Sequence, residues 1–211
     1  MTDALFTHAQ KTAGEAVIRS LGLKRVNGAD SAEAAKAILD EGGLLSLGHA
    51  GPSTLLRYGL QDHPLVHSCV KFTVVRNPWD RAVSQYEYLQ DVDNLRHWLW
   101  KYPTFDEWCE VLHYRHMRPG MVWPEGLNRG DRCDPQVAYT FPELDFLVRF
   151  ESIQGDWEEL TELLGVPGTE LMHANKTRSK RPDYRTMYTS CTERMIGEVY
   201  AEDVARFGYD F

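Results

Sequence analysis

Short apolar runs alternate with amphipathic stretches along most of the chain, and turn residues separate them. Ala4 to Thr7 is a β-prone run ending at His8, and Ala16, Val17 and Leu21 then carry helical spacing. Lys11-Thr12-Ala13-Gly14 between them reads as a tight loop. Asp30 or Ser31 caps an Ala-rich helix to about Leu39, closed by Gly42-Gly43. Leu44 to Leu47 predicts a buried strand ending at Gly48-His49, and Pro52 to Tyr58 a short helix. Val70 to Val75 is mostly apolar on both faces, as strands of a parallel sheet are. Asn77 and Pro78 supply an N-cap and a first-turn proline for a long helix to about Trp100. Thr104-x-x-Glu107 is a capping box for a helix to about His113. Phe146 to Phe150 is a further strand, followed by a helix from Asp156 to Leu164. The last helix runs from about Ser190 to Phe207, with Ser190-x-x-Glu193 as its box. His63 and His67 fall on a loop-like segment.

Strands alternating with helices predict a three-layer α/β/α fold around a mainly parallel central sheet. With 211 residues and no repeat, low-complexity stretch or linker, the chain reads as a single domain over residues 1–211. Apolar residues at 43% and charged residues at 26% exclude disorder as the main state. A net charge of -8 argues against nucleic acid as a partner, since duplex binding neutralises many phosphates with Lys and Arg. It still permits a local basic pocket for one small anion. No run approaches the ~18 apolar residues of a spanning helix, and the first dozen residues lack a secretory pattern. The expectation is a cytoplasmic protein with no membrane contact. Cys69, Cys109, Cys133 and Cys191 are far apart, so neither a disulfide framework nor a metal cluster is expected. His113 and His116 lack a third ligand at metal-site spacing.

Ligands of open parallel sheets sit at the carboxyl ends of the strands. His8 to Glu15 lies at such an end, where a helix N-terminus offers free N–H groups to an anion. The pattern G-x-x-x-x-G-K-[ST] is absent, and an ordinary turn with a solvated Lys11 fits the spacing equally. At a second strand end stands Arg76, with Ser84 two helical turns beyond. The planar fork of Arg matches phosphate oxygens; the alternative is a pairing of Arg76 with a carboxylate. At a third, His49 sits between Gly48 and Gly51 and has the chemistry of a general base, or of a core histidine. A Gly/Pro-rich loop over 117–135, with Trp123 and nearby Gln136 and Tyr139, is a candidate acceptor side.

Together, His8 to Glu15 and Arg76 to Ser84 resemble the donor-binding segments of sulfotransferases that use 3′-phosphoadenosine 5′-phosphosulfate (PAPS), in particular the carbohydrate O-sulfotransferase branch. In that family a segment reading roughly H-x-P-K-T-G/A-G-T/S holds the 5′-phosphosulfate, and R-N-P-Y/W-D-R-x-x-S holds the 3′-phosphate. The resemblance extends to Val148-Arg149-Phe150-Glu151, to Asn175 with the basic loop after it, and to Phe207-Gly208-Tyr209-Asp210. It implies a P-loop-nucleotide-kinase-like fold, PAPS as co-substrate, its 3′,5′-bisphosphate (PAP) as product, and no metal. Lys11 would stabilise the leaving phosphate, and Thr12, Ala13, Gly14 and the residue at position 15 would line the phosphosulfate loop. Arg76 and Ser84 would hold the 3′-phosphate, and Lys176 and Arg178, with Lys180 and Arg181, would close over the donor. His49 would be the base for a carbohydrate or small-molecule hydroxyl. Two residues depart from the pattern: Glu15 stands in place of Thr or Ser, and Gln10 in place of Pro. Glu15 keeps a degraded nucleotide-binding module open as a reading. A kinase-like enzyme would lack its glycine–lysine pattern and its acid for magnesium.

Overall fold

Five strands alternate with helices among the described residues: β1 (Ala4–His8), β2 (Lys24–Arg25), β3 (Leu44–Ser46), β4 (Val70–Val75) and β5 (Phe146–Arg149). They form one parallel sheet in the order β2-β3-β1-β4-β5. The computed structural model describes residues 2–29, 31–91, 104–118, 133–172 and 182–211. The expectations for Asp30, for the helix over 92–100, for Trp123 and for Lys176, Arg178, Lys180 and Arg181 lie outside those residues. The chain divides into two compact units, Met1–Val75 with Gln136–Lys176, and Arg76–Pro135 with Thr177–Phe211.

In the first unit the period-two alternation of the strands sorts side chains onto two faces. Register pairs Ala4 with Leu44 and Val70, and Phe6 with Phe72, so these residues share one face. There they pack with Val17 and Ile18 of α1 (Gly14–Leu21) and with Trp157, Leu160 and Leu164 on and just beyond α7 (Ile153–Leu163). Leu5 and Leu45 face the other way, against Leu39 of α2 (Ala32–Glu41), Leu55 of α3 (Ser53–Tyr58) and Leu65 of α4 (Pro64–Ser68). Helices on both faces make this the three-layer α/β/α arrangement. Ser31 is the N-cap of α2, its side chain accepting from the Ala34 N–H at 3.1 Å. His67 lies within α4 rather than on a loop, and His63, extended just before that helix, caps it by accepting from the Leu65 N–H.

The two-residue strand β2 escapes sequence reading because both residues are exposed and give no apolar signal. Pairing with Leu45 and Ser46 holds it at the sheet edge, where charged residues also discourage edge-to-edge association.

The second unit is built on α5 (Pro78–Asp91), α6 (Phe105–His116), α8 (Ser190–Val199) and α9 (Ala201–Phe207). Trp79, Val83, Tyr86, Trp108, Ile196 and Tyr200 form its core. Asn77 caps α5 as the sequence indicates, its Oδ1 accepting from Trp79 N–H at 3.0 Å. The capping box at Thr104 and Glu107 is present, and the helix runs one turn past His113. The last helix differs from expectation in two ways. Its box is Thr189 with Thr192, because Thr189 is extended and its hydroxyl reaches the Thr192 N–H, whereas Ser190 is already helical. It also breaks at Tyr200 (φ -109, ψ 27), whose buried hydroxyl donates to the Cys133 carbonyl at 2.7 Å.

Candidate active site

The order of the sheet reverses at β1: the chain goes from β1 to β2 and β3 on one side, and β4 and β5 lie on the other. That is a topological switch point, where ligands of open α/β sheets bind. The loop after β1 carries two non-glycine residues in the left-handed region, Lys11 (φ 66) and Ala13 (φ 69). Backbone of this kind is costly outside glycine and gathers at ligand-binding loops. Thr12 is fully buried and its hydroxyl donates to the Ala9 carbonyl at 2.8 Å, which ties the loop to itself. Helix α1 then begins with no side-chain cap, leaving its first-turn N–H groups without the usual side-chain acceptor. Gly14 is set by close approach: a Cβ there would come within 1.8 Å of the His8 ring.

Glu15, the unexpected acid in this loop, is met by a residue of the unforeseen strand. Arg25 Nη2 donates to both Glu15 carboxylate oxygens, at 2.9 and 2.7 Å. A partly exposed pair adds little to stability, but it answers the local negative charge at the mouth of the loop.

His49 comes from the neighbouring strand. The Leu47 N–H donates to the Phe6 carbonyl at 2.8 Å, drawing the segment after β3 against the end of β1. Ser46 Oγ accepts from the Gly48 N–H at 3.1 Å and opens a 3₁₀ turn over Gly48–Ala50. Gly51 closes it at φ 54, with the Tyr139 backbone so near that a Cβ would fall 2.7 Å from its carbonyl oxygen. The His49 ring meets the His8 ring edge-on, centroids 4.4 Å apart. His8, which sequence reasoning used only as a motif letter, stacks on Phe6 and is 1% exposed. Burial, with lesser contributions from His49 and Arg25, holds its pKa well below the ordinary value, so its ring is neutral at pH 7. Tyr139 and Gln136, placed by the sequence on the candidate acceptor side, are both buried.

In the second unit, Arg76 is 8% exposed and its Nε donates to Asp80 Oδ2 at 2.6 Å. The carboxylate pairing foreseen as an alternative is therefore present. Asp80 and Ser84 are four residues apart on α5 and share a face, so the pairing draws Arg76 toward the face that carries Ser84. The rest of the R-N-P-W-D-R run is architectural. Asn77 Nδ2 donates to the Asp210 carbonyl at 2.7 Å and Trp79 Nε1 to the Glu193 carbonyl at 2.9 Å. Buried Arg81 donates to the Asp134 carbonyl at 2.8 Å, lies 3.9 Å from Asp203 and covers the Tyr200 ring. The chain's Gly208-Tyr209-Asp210 ending thus has a structural partner in the motif itself.

A groove of about 610 Å³ beside α7 is lined by Glu158, Glu162, Glu170 and Trp157. It carries three acids and no cation, the wrong lining for an anionic donor. His113 is paired with Glu198 at 2.6 Å. Among the described residues no helix is long and apolar enough to cross a membrane.

The family model described as the sulfotransferase family matches residues 52–210, most of the chain. The matched span includes Arg76 and Ser84 and begins after Lys11 and His49. No curated protein and no solved structure matches the chain significantly.

Proposed function

The chain belongs to the sulfotransferase family, and from that premise we propose that it transfers a sulfuryl group from PAPS to a hydroxyl of a carbohydrate or small-molecule acceptor. The acceptor oxygen attacks sulfur, the bond from sulfur to the donor's phosphate oxygen breaks, and the 3′,5′-bisphosphate departs. His49 takes the acceptor's proton. Lys11 neutralises the charge that develops on the departing oxygens, the kind of aimed electrostatics that dominates such steps. Backbone N–H groups of Thr12, Ala13 and Gly14 line the phosphosulfate loop, and Arg76 and Ser84 hold the 3′-phosphate. Lys176 and Arg178 close over the donor. Residues 1–211 act as one sulfotransferase domain of the carbohydrate-directed branch, in a reducing, cytoplasmic setting where free thiols persist.

The observation that carries this reading is the loop after β1. Its two left-handed non-glycine residues and uncapped helix start suit an anion, and His49 stands beside it on the adjoining strand end. Further support comes from the family match itself, whose span includes Arg76 and Ser84. Glu15 argues less for a degraded module once Arg25 engages both of its oxygens.

Thermal unfolding tests the reading. PAP at 100 times its dissociation constant is expected to stabilise the protein by about 2.7 kcal/mol, with ATP and magnesium-ATP giving far less at equal concentration. Stabilisation by magnesium-ATP alone would overturn the reading in favour of a kinase-like enzyme.

A further inference from the structure

His8 is almost wholly buried, and neither of its ring nitrogens has a hydrogen-bond partner among the described residues. Buried polar atoms ordinarily have partners, so the acceptor nitrogen of this neutral ring is a position for a ligand. One ligand atom of His8, one of His49 and one carboxylate oxygen of Glu15 lie within 4.8 Å of one another. The three come from β1, from the turn after β3 and from the first turn of α1, which is why spacing along the sequence did not reveal them. We propose that His8, His49 and Glu15 form a binding site for a divalent transition-metal ion of the zinc type.

Two imidazoles and one carboxylate are the donor set of open zinc sites, with a fourth position left to water. Magnesium and calcium prefer all-oxygen shells and are disfavoured here. Tetrahedral zinc ligands stand about 3.3 Å apart, from bond lengths near 2 Å, so the cluster contracts modestly on binding. Glu15 is partly exposed on the rim and has room to move. Arg25 grips both Glu15 oxygens, so a metal must draw the carboxylate away from the guanidinium, whose positive charge also opposes a nearby cation. Arg25 therefore sets the affinity by competing for the carboxylate.

A nitrogen lone pair given to a metal is not available to a proton. If His49 is the base, as proposed above, an occupied site stops sulfuryl transfer. That consequence rests on the functional reading, whereas metal binding itself does not.

The test uses the full chain stripped with chelator and titrated calorimetrically with Zn²⁺, with Co²⁺ as a spectroscopic probe. One ion per chain is expected, with the visible bands of tetrahedral cobalt. His8→Gln is expected to weaken binding by roughly 100-fold or more and Glu15→Gln by about tenfold or more, because each removes a direct ligand and outer partners alone are worth about 10–100-fold. Arg25→Gln is expected to tighten binding, a change that a merely structural role would not produce. If His8→Gln fails to fold, Glu15→Gln and Arg25→Gln carry the test. Absence of stoichiometric binding, or binding indifferent to these substitutions, overturns the proposal. Zn²⁺ inhibition of transfer that chelator reverses supports both readings. Binding without inhibition keeps the metal site and removes His49 as base.

Discussion

Replacing His49 with alanine is expected to slow sulfuryl transfer by roughly 10²–10⁴-fold, the usual contribution of a positioned general base, without loss of affinity for the bisphosphate nucleotide. The split follows from where the residue stands. His49 is on the 3₁₀ turn after β3, while the contacts assigned to the donor come from the loop after β1 and from Arg76 and Ser84. Deleting the imidazole removes the proton acceptor and none of those contacts. Gly48 and Gly51 fix the turn independently of the side chain between them, so the backbone keeps its course. Single-turnover transfer of labelled sulfur from PAPS, paired with calorimetry on the bisphosphate, separates the two effects. Unchanged turnover would remove His49 from the reaction, and a parallel loss of nucleotide affinity would make it a donor contact instead.

The largest stability effect is expected at Arg81. Its side chain is 2% exposed, and Asp203, 3.9 Å away, is fully buried. Arg81→Met removes the guanidinium charge beside the buried Asp203 carboxylate and the hydrogen bond to the Asp134 carbonyl. Breaking a buried pair from one side costs about 3–5 kcal/mol, read as a fall in the urea unfolding midpoint. The double substitution Arg81→Met with Asp203→Leu is expected to recover much of that loss, because both charges are then absent. A single-mutant loss below about 1 kcal/mol, the scale of an exposed pair, would show that Arg81 does not act as a buried counter-ion.

Much of the architecture was legible because each strong element carried agreeing signals. β1 and β4 are apolar on both faces, α2 has its Ser31 cap and closing glycines, and Asn77-Pro78 opens α5. What escaped had no local signature. β2 is two exposed basic residues held by pairing with β3, and the break at Tyr200, whose hydroxyl donates to the Cys133 carbonyl, is marked by neither glycine nor proline. The same limit applied at the site. Lys11 and His49 follow strand ends and Gly14 opens α1, where ligands of open α/β sheets bind. The contact of His8 with His49 and the capture of Glu15 by Arg25 join segments distant in sequence, so only coordinates bring them together. The R-N-P-W-D-R run also hides a division of labour: Asn77, Trp79 and Arg81 bind their own unit together, while Arg76 pairs with Asp80, which shares a face of α5 with Ser84.

The most direct measurement is a comparison of two nucleotides, PAP and adenosine 5′-phosphate, titrated calorimetrically into the wild type, Lys11→Ala and Arg76→Ala. If one donor is gripped at both ends, the wild type favours the 3′-phosphorylated nucleotide and Arg76→Ala loses that preference. Lys11→Ala weakens both nucleotides alike. A wild type indifferent to the 3′-phosphate, or an Arg76→Ala variant that weakens both nucleotides equally, contradicts the claim.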